Sequence, residues 1–78
     1  MSRHVRHSED RRYEVAYGKD RTCGFFLQVF DNIDPKTETL LVDLDQAPWT
    51  AKKADPTTFP GIAAKYGVTL TVADLVNA

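Results

Sequence analysis

The chain of 78 residues predicts an α+β fold: a three-stranded antiparallel β-meander followed by C-terminal short helices packed on one face of the sheet. Three observations carry that expectation. Residues 13–45 hold three apolar segments of period two, separated by short turn-forming links, the pattern of sequential antiparallel strands. Residues 46–60 hold three prolines among small polar residues and read as a connection. After Pro60, helix-forming residues come with their own stop and cap signals.

Residues 1–12 (MSRHVRHSEDRR) lack apolar periodicity and are expected to be a flexible basic arm, leaving 13–78 as a single small domain. The first strand is Tyr13–Tyr17, and Gly18–Gly24 is a loop bounded by glycines. Gly24–Asp31 (GFFLQVFD) is the second strand. Asn32–Glu38 is a turn in which Asp34-Pro35 sets the backbone. Thr39–Asp45 (TLLVDLD) is the third strand, with Leu40, Val42 and Leu44 on one face and Leu41, Asp43 and Asp45 on the other. Trp49 is expected to anchor the following connection to the core, with a helical turn over 49–53. Ile62–Tyr66 reads as a helix stopped by Gly67. Thr71-Val-Ala-Asp74 reads as a capping box that opens a last helix through Val76. The expected core is Val15, Phe25, Leu27, Val29, Leu40, Val42, Leu44, Ile62, Tyr66, Leu70 and Leu75.

Composition narrows the function classes. The chain is 42% hydrophobic and 27% charged, ordinary for a soluble domain, and no apolar run approaches the ~20 residues that span a bilayer. The charged N-terminus is followed by no apolar segment, so no secretory signal is expected. Cys23 is the lone cysteine, which fits a reducing, cytoplasmic compartment. The net charge of −1 is spread unevenly. Residues 1–22 carry six basic and four acidic side chains, a balance of +2, whereas 23–51 carry Lys36 against five acids, a balance of −4.

No constellation of catalytic residues stands out, and the chain is read as a non-enzyme needing no cofactor. His4 and His7 lie on an arm without the supporting shell that metal ligands require, so no metal site is expected. Cys23 follows Arg21, a cation that lowers a thiol pKa, but no base is positioned beside it. An enzyme would need Cys23, Asp43 and a displaced His7 gathered in one pocket. Asp43 and Asp45 share a strand face, where hydrated acids discourage sheet-to-sheet aggregation.

Three segments bear resemblances. Ile62-Ala-Ala-Lys-Tyr-Gly-Val, with Asp74-Leu-Val-Asn77 after it, resembles part of the lysin-motif (LysM) glycan-binding modules. Leu70-Thr71 are additional between the two blocks, and the flanking strands are missing. Ala63 with Gly67-Val68-Thr69 also resembles the turn of the DNA-binding helix-turn-helix, whose recognition helix would here offer Thr71, Ala73, Asp74 and Asn77 without a Lys or Arg. Tyr17–Asp31 (YGKDRTCGFFLQVFD) resembles small uncharacterised proteins of bacterial plasmids and other mobile elements. That resemblance implies the setting of an accessory protein, in which binding and inhibition of host defence systems are common roles.

The second strand poses the functional question. With helices over Phe25, Leu27 and Val29, its other face shows Phe26, Gln28 and Phe30, and two exposed phenylalanines are a liability in a monomer. The arm or the 46–60 connection would cover them, or a second copy would, or a different protein. The expectation is a non-enzymatic protein-binding module, an inhibitor or accessory protein acting through an acidic, aromatic sheet face. Phe26, Phe30 and Leu41 are its anchors and Asp43 and Asp45 its rim; the partner is another protein or the chain itself in a homodimer. The alternative is nucleic-acid binding through Arg3, Arg6, Arg11 and Arg12, and a third reading is a structural or dimerisation module. No membrane partner is expected.

Overall fold

The alternating segments pair as the sequence pattern requires, and a fourth strand joins them. In a computed structural model, which describes residues 3–22, 24–34, 37–49 and 54–77, strands β1 (His4–His7), β2 (Tyr13–Asp20), β3 (Gly24–Asp34) and β4 (Thr37–Leu44) form one antiparallel sheet. The spatial order is β1-β2-β3-β4, a meander. A 3-10 turn at Pro56–Thr58 leads into helix α1 (Phe59–Lys65), and helix α2 (Val72–Val76) follows.

β1 corrects the expectation of three strands and a free arm. His4 pairs with Tyr17, and Arg6 with Val15. The turn behind it is built from polar groups. Ser8 Oγ donates to Asp10 Oδ1 (2.6 Å) and accepts from the Tyr13 amide (3.1 Å), and Asp10 also accepts from the Arg12 amide (3.1 Å). These donors, the Ser8 hydroxyl first, hold the Asp10 carboxyl below its ordinary pKa. Arg11 takes the left-handed conformation at φ 62° that closes the reversal.

The strands also run further than their sequence signals. β2 continues through Gly18 to Asp20, and β3 through Asn32 to Asp34, so ladder pairing takes up most of both expected loops. β4 stops at Leu44, one residue short of Asp45. At the start of β3, Gly24 has φ 65°, and a Cβ there would come within 2.6 Å of Gln46 Oε1. That same oxygen accepts from the Phe25 amide (3.1 Å), while Gln46 Nε2 donates to the Ala54 carbonyl (3.2 Å). The glycine makes room for a side chain that ties the chain after β4 back to the sheet.

The helices cover the face of Val15, Tyr17, Leu27 and Val29, where Phe59, Ala63, Val68, Leu70 and Leu75 complete the core. Phe25, Val42, Leu44, Ile62 and Tyr66 pack around it, partly buried. Gly67, at φ 74°, ends α1: the Val68 amide returns to the Ala63 carbonyl (3.0 Å) and the Gly67 amide to the Ala64 carbonyl (3.1 Å). The expected capping box at Thr71 and Asp74 is present with both reciprocal hydrogen bonds.

Three side chains depart from expectation. Phe59, placed in the connection by the sequence, is fully buried and begins α1, with Pro60 in the first turn, where a missing N–H costs nothing. Trp49 is 70% exposed rather than anchored in the core. Leu40, expected inside, is 46% exposed, because a register shift intervenes. Val29 pairs with Val42 but Phe30 with Leu40, leaving Leu41 as the extra residue of a bulge. The bulge carries Leu40 to the face of Phe30. Of the helical turn expected over 49–53, residues 50–53 lie outside the described residues, as do Cys23, Pro35 and Lys36.

Candidate binding face

The face of the sheet turned away from the helices is built from alternate positions of all four strands. Cross-strand pairs define its rows: Val5 with Ala16, Ala16 with Gln28, Gln28 with Asp43; then His7 with Glu14, Glu14 with Phe30, Phe30 with Leu40. Gly18 stands opposite Phe26. Among the described residues, neither helix contributes to this face, and the core cluster contains none of its side chains.

Phe26 and Phe30 are half-buried. Ala16 is fully buried, lying low between larger side chains. The exposed apolar groups sit on the two outer strands: Val5 on β1, Leu40 and Leu41 on β4, all between 42% and 46% exposed. A polar chain crosses the middle. Arg3 Nη1 donates to Gln28 Oε1 (3.0 Å), and Gln28 Nε2 donates to Asp43 Oδ1 (3.4 Å). At the other end, His7 Nε2 lies 3.0 Å from Glu14 Oε1. A cation thus marks the β1 side and an acid the β4 side.

Of the residues singled out in the sequence, Phe26, Phe30, Leu41 and Asp43 share this face. Asp45 follows the end of β4, half-buried, and its Oδ1 accepts from the Ala47 amide (3.1 Å). Strand parity within β3 was enough to find the phenylalanines. Val5 was missed, Leu40 was assigned to the core and Arg3 to a nucleic-acid surface, since their place on this face depends on β1 pairing and on the bulge.

The four arginines of the N-terminal segment do not form one patch. Arg3 reaches Gln28, and Arg12 lies 3.5 Å from Asp31 with its guanidinium 5.0 Å over the Tyr13 ring. Arg11 turns the chain. Arg6 points to the helical side, forms a two-pronged pair with Asp74 (2.9 and 3.0 Å) and donates to the Thr69 carbonyl (2.9 Å). His4 stacks on Tyr17, with ring centroids 5.3 Å apart.

Asp74 joins two functions in one carboxylate, since it also accepts from the Thr71 amide (2.8 Å) and hydroxyl (2.9 Å). The Arg6 hydrogen bonds, followed by those of Thr71, hold its pKa down at about 2 from an ordinary 3.8. A depressed carboxylate contributes stability that is complete above its unfolded pKa and is lost as pH falls through the folded one. The melting temperature should therefore decline from about pH 4 toward pH 2 more steeply in the native chain than in an Asp74→Asn variant. The two curves, far apart at neutral pH, should approach one another near pH 2.

Comparison with known proteins returns no matching family model, no matching curated protein and no matching solved structure. Among the described residues no helix is long and apolar enough to cross a membrane, and no three His, Cys, Asp or Glu side chains gather as a metal site would need.

Proposed function

We propose that this chain is a non-catalytic binding module that engages a protein surface through the outer face of its sheet. The observation that carries the reading is the helix-free face itself, where half-buried Phe26 and Phe30 lie between exposed Val5, Leu40 and Leu41. Aromatic anchors beside aliphatic groups, bordered by charge, are the composition of a protein interface. Leaving such a face wetted costs roughly 1.5–3 kcal/mol for each large side chain that burial would have taken from water. On this reading the module acts by occupying its partner's surface, as an inhibitor or accessory protein does. The cytoplasm is its compartment, in keeping with one cysteine.

Pairing of Arg6 with Asp74 and of Arg12 with Asp31 favours this reading over nucleic-acid binding, which calls for arginines free to meet phosphates. Asp74, in the place where a recognition helix would meet DNA, is likewise held by Arg6. The test is photo-crosslinking in the native host from a reactive residue at position 41, beside one at Ala64 on the exposed side of α1. Protein adducts from position 41 alone are expected; adducts from neither position, or equally from both, would remove the reading.

A further inference from the structure

We propose that β1 and α2 open and close together as one strap latched by Arg6, and that this strap sets whether the outer face is three or four strands wide. The inference goes beyond the binding-face reading and holds whatever that face meets.

The strap consists of two short elements, and neither holds itself. β1 has four residues, of which Arg6 alone is partly buried, and none of them joins the core cluster. α2 has five residues and one buried side chain, Leu75. That is far under the ~12 residues at which an isolated helix becomes even marginal in water. Besides its ladder with β2, β1 is held by polar and ring contacts, with His4 stacked on Tyr17 and the Arg6 guanidinium 5.4 Å over the same ring. Elements with so little buried apolar contact are the first to open.

Arg6 is where the two elements meet. Its Nη1 donates to the Thr69 carbonyl and to Asp74 Oδ2, and its Nη2 to Asp74 Oδ1. Asp74 Oδ2 is also the acceptor for the Thr71 amide and hydroxyl. One carboxylate therefore completes the helix cap and holds the strand, so displacing either element strips hydrogen bonds from the other. Alternation along β1 carries the effect through the sheet, because Arg6 faces the helices while Arg3 and Val5 stand on the outer face. Lifting β1 takes both from that face and uncovers Ala16, the partner of Val5. A contact made at α2 thus alters the outer face, and by reciprocity a contact on Val5 steadies α2.

Amide hydrogen exchange followed by NMR tests the strap. β2 carries its own reference, since its backbone groups point alternately to its two neighbours. The Tyr13 carbonyl accepts from the Ser8 amide, so Val15 and Tyr17 face β1; the Arg12 carbonyl accepts from the Asn32 amide, so Ala16 and Gly18 face β3. The amides of Leu75 and Asn77 report α2. In the native chain Val15, Tyr17, Leu75 and Asn77 should share one protection factor to within about threefold, roughly tenfold or more below that of Ala16 and Gly18. Thr71→Ala removes the hydroxyl that caps α2 and should lower protection by about fivefold at all four strap amides. In an Arg6→Gln background the same change should act on Leu75 and Asn77 alone. Separate levels for the β1-facing and α2 amides in the native chain, or one level shared with Ala16 and Gly18, would overturn the strap without need of any variant. A Thr71→Ala change that leaves Val15 and Tyr17 unmoved in the native background, or moves them equally in both backgrounds, would overturn Arg6 as its latch.

Discussion

Replacing Phe59 by Ala should cost about 3–5 kcal/mol, the effect of emptying a fully buried aromatic site. A domain of this length has a total stability of roughly 4–12 kcal/mol, so the variant should stand near the edge of folding. Phe59 opens α1 and meets the sheet residues Val15, Leu27 and Val29 in the same core cluster. No covalent link joins helix to sheet; the chain's one cysteine permits none. Packing alone must hold α1 down. With ~4–8 °C of melting temperature for each kcal/mol in a domain of this size, a thermal melt should register a drop of more than ten degrees. A change of only a few degrees would mean that Phe59 is not the helix's anchor.

The second large effect separates two leucines. Leu27→Ala should cost about 2–5 kcal/mol, because the side chain is fully buried under the helices. Leu40→Ala should cost under about 1 kcal/mol, as expected for a half-exposed side chain. Plain alternation along β4 would put Leu40 in the core with Val42 and Leu44, and would make the two substitutions comparable. The bulge at Leu41 is what reverses that expectation. Denaturant melts of the two variants therefore test the register itself, and equal losses would argue for an unbulged strand.

Particular residues show what the sequence made legible. The pairing of β2, β3 and β4 follows from apolar alternation, and so does the assignment of Leu27 and Val29 to one face and Phe26 and Phe30 to the other. Gly67 and the Thr71–Asp74 box were readable because each satisfies backbone groups within a few residues of itself. β1 was not readable, since HVRH has little apolar content and its position depends on contacts remote in sequence. Arg6 crosses 68 positions to reach Asp74. Phe59 was hidden by Pro60, which punctuates a chain but is also welcome in a helix's first turn.

The candidate face was half legible for the same reasons. β3 alone supplied Phe26 and Phe30, and strand parity supplied Leu41 and Asp43. The aliphatic groups that give the face its exposed edges, Val5 and Leu40, became visible only with the fourth strand and the bulge in place. Two of the acids behind the −4 balance of residues 23–51 are also engaged within the chain. Among the acids of that segment whose side chains are described, Asp31 lies beside Arg12 and Asp45 caps the turn at Ala47, while Asp43 stands exposed on the face.

The most direct measurement is the photo-crosslink from position 41, read by intact mass beside the same residue at position 64. A protein adduct confined to position 41 is the predicted result, and an adduct of twice the chain mass would identify a second copy as the partner. Adducts from position 64 with none from position 41 would contradict the account, placing the working surface on the helices and leaving the outer face of the sheet without a role.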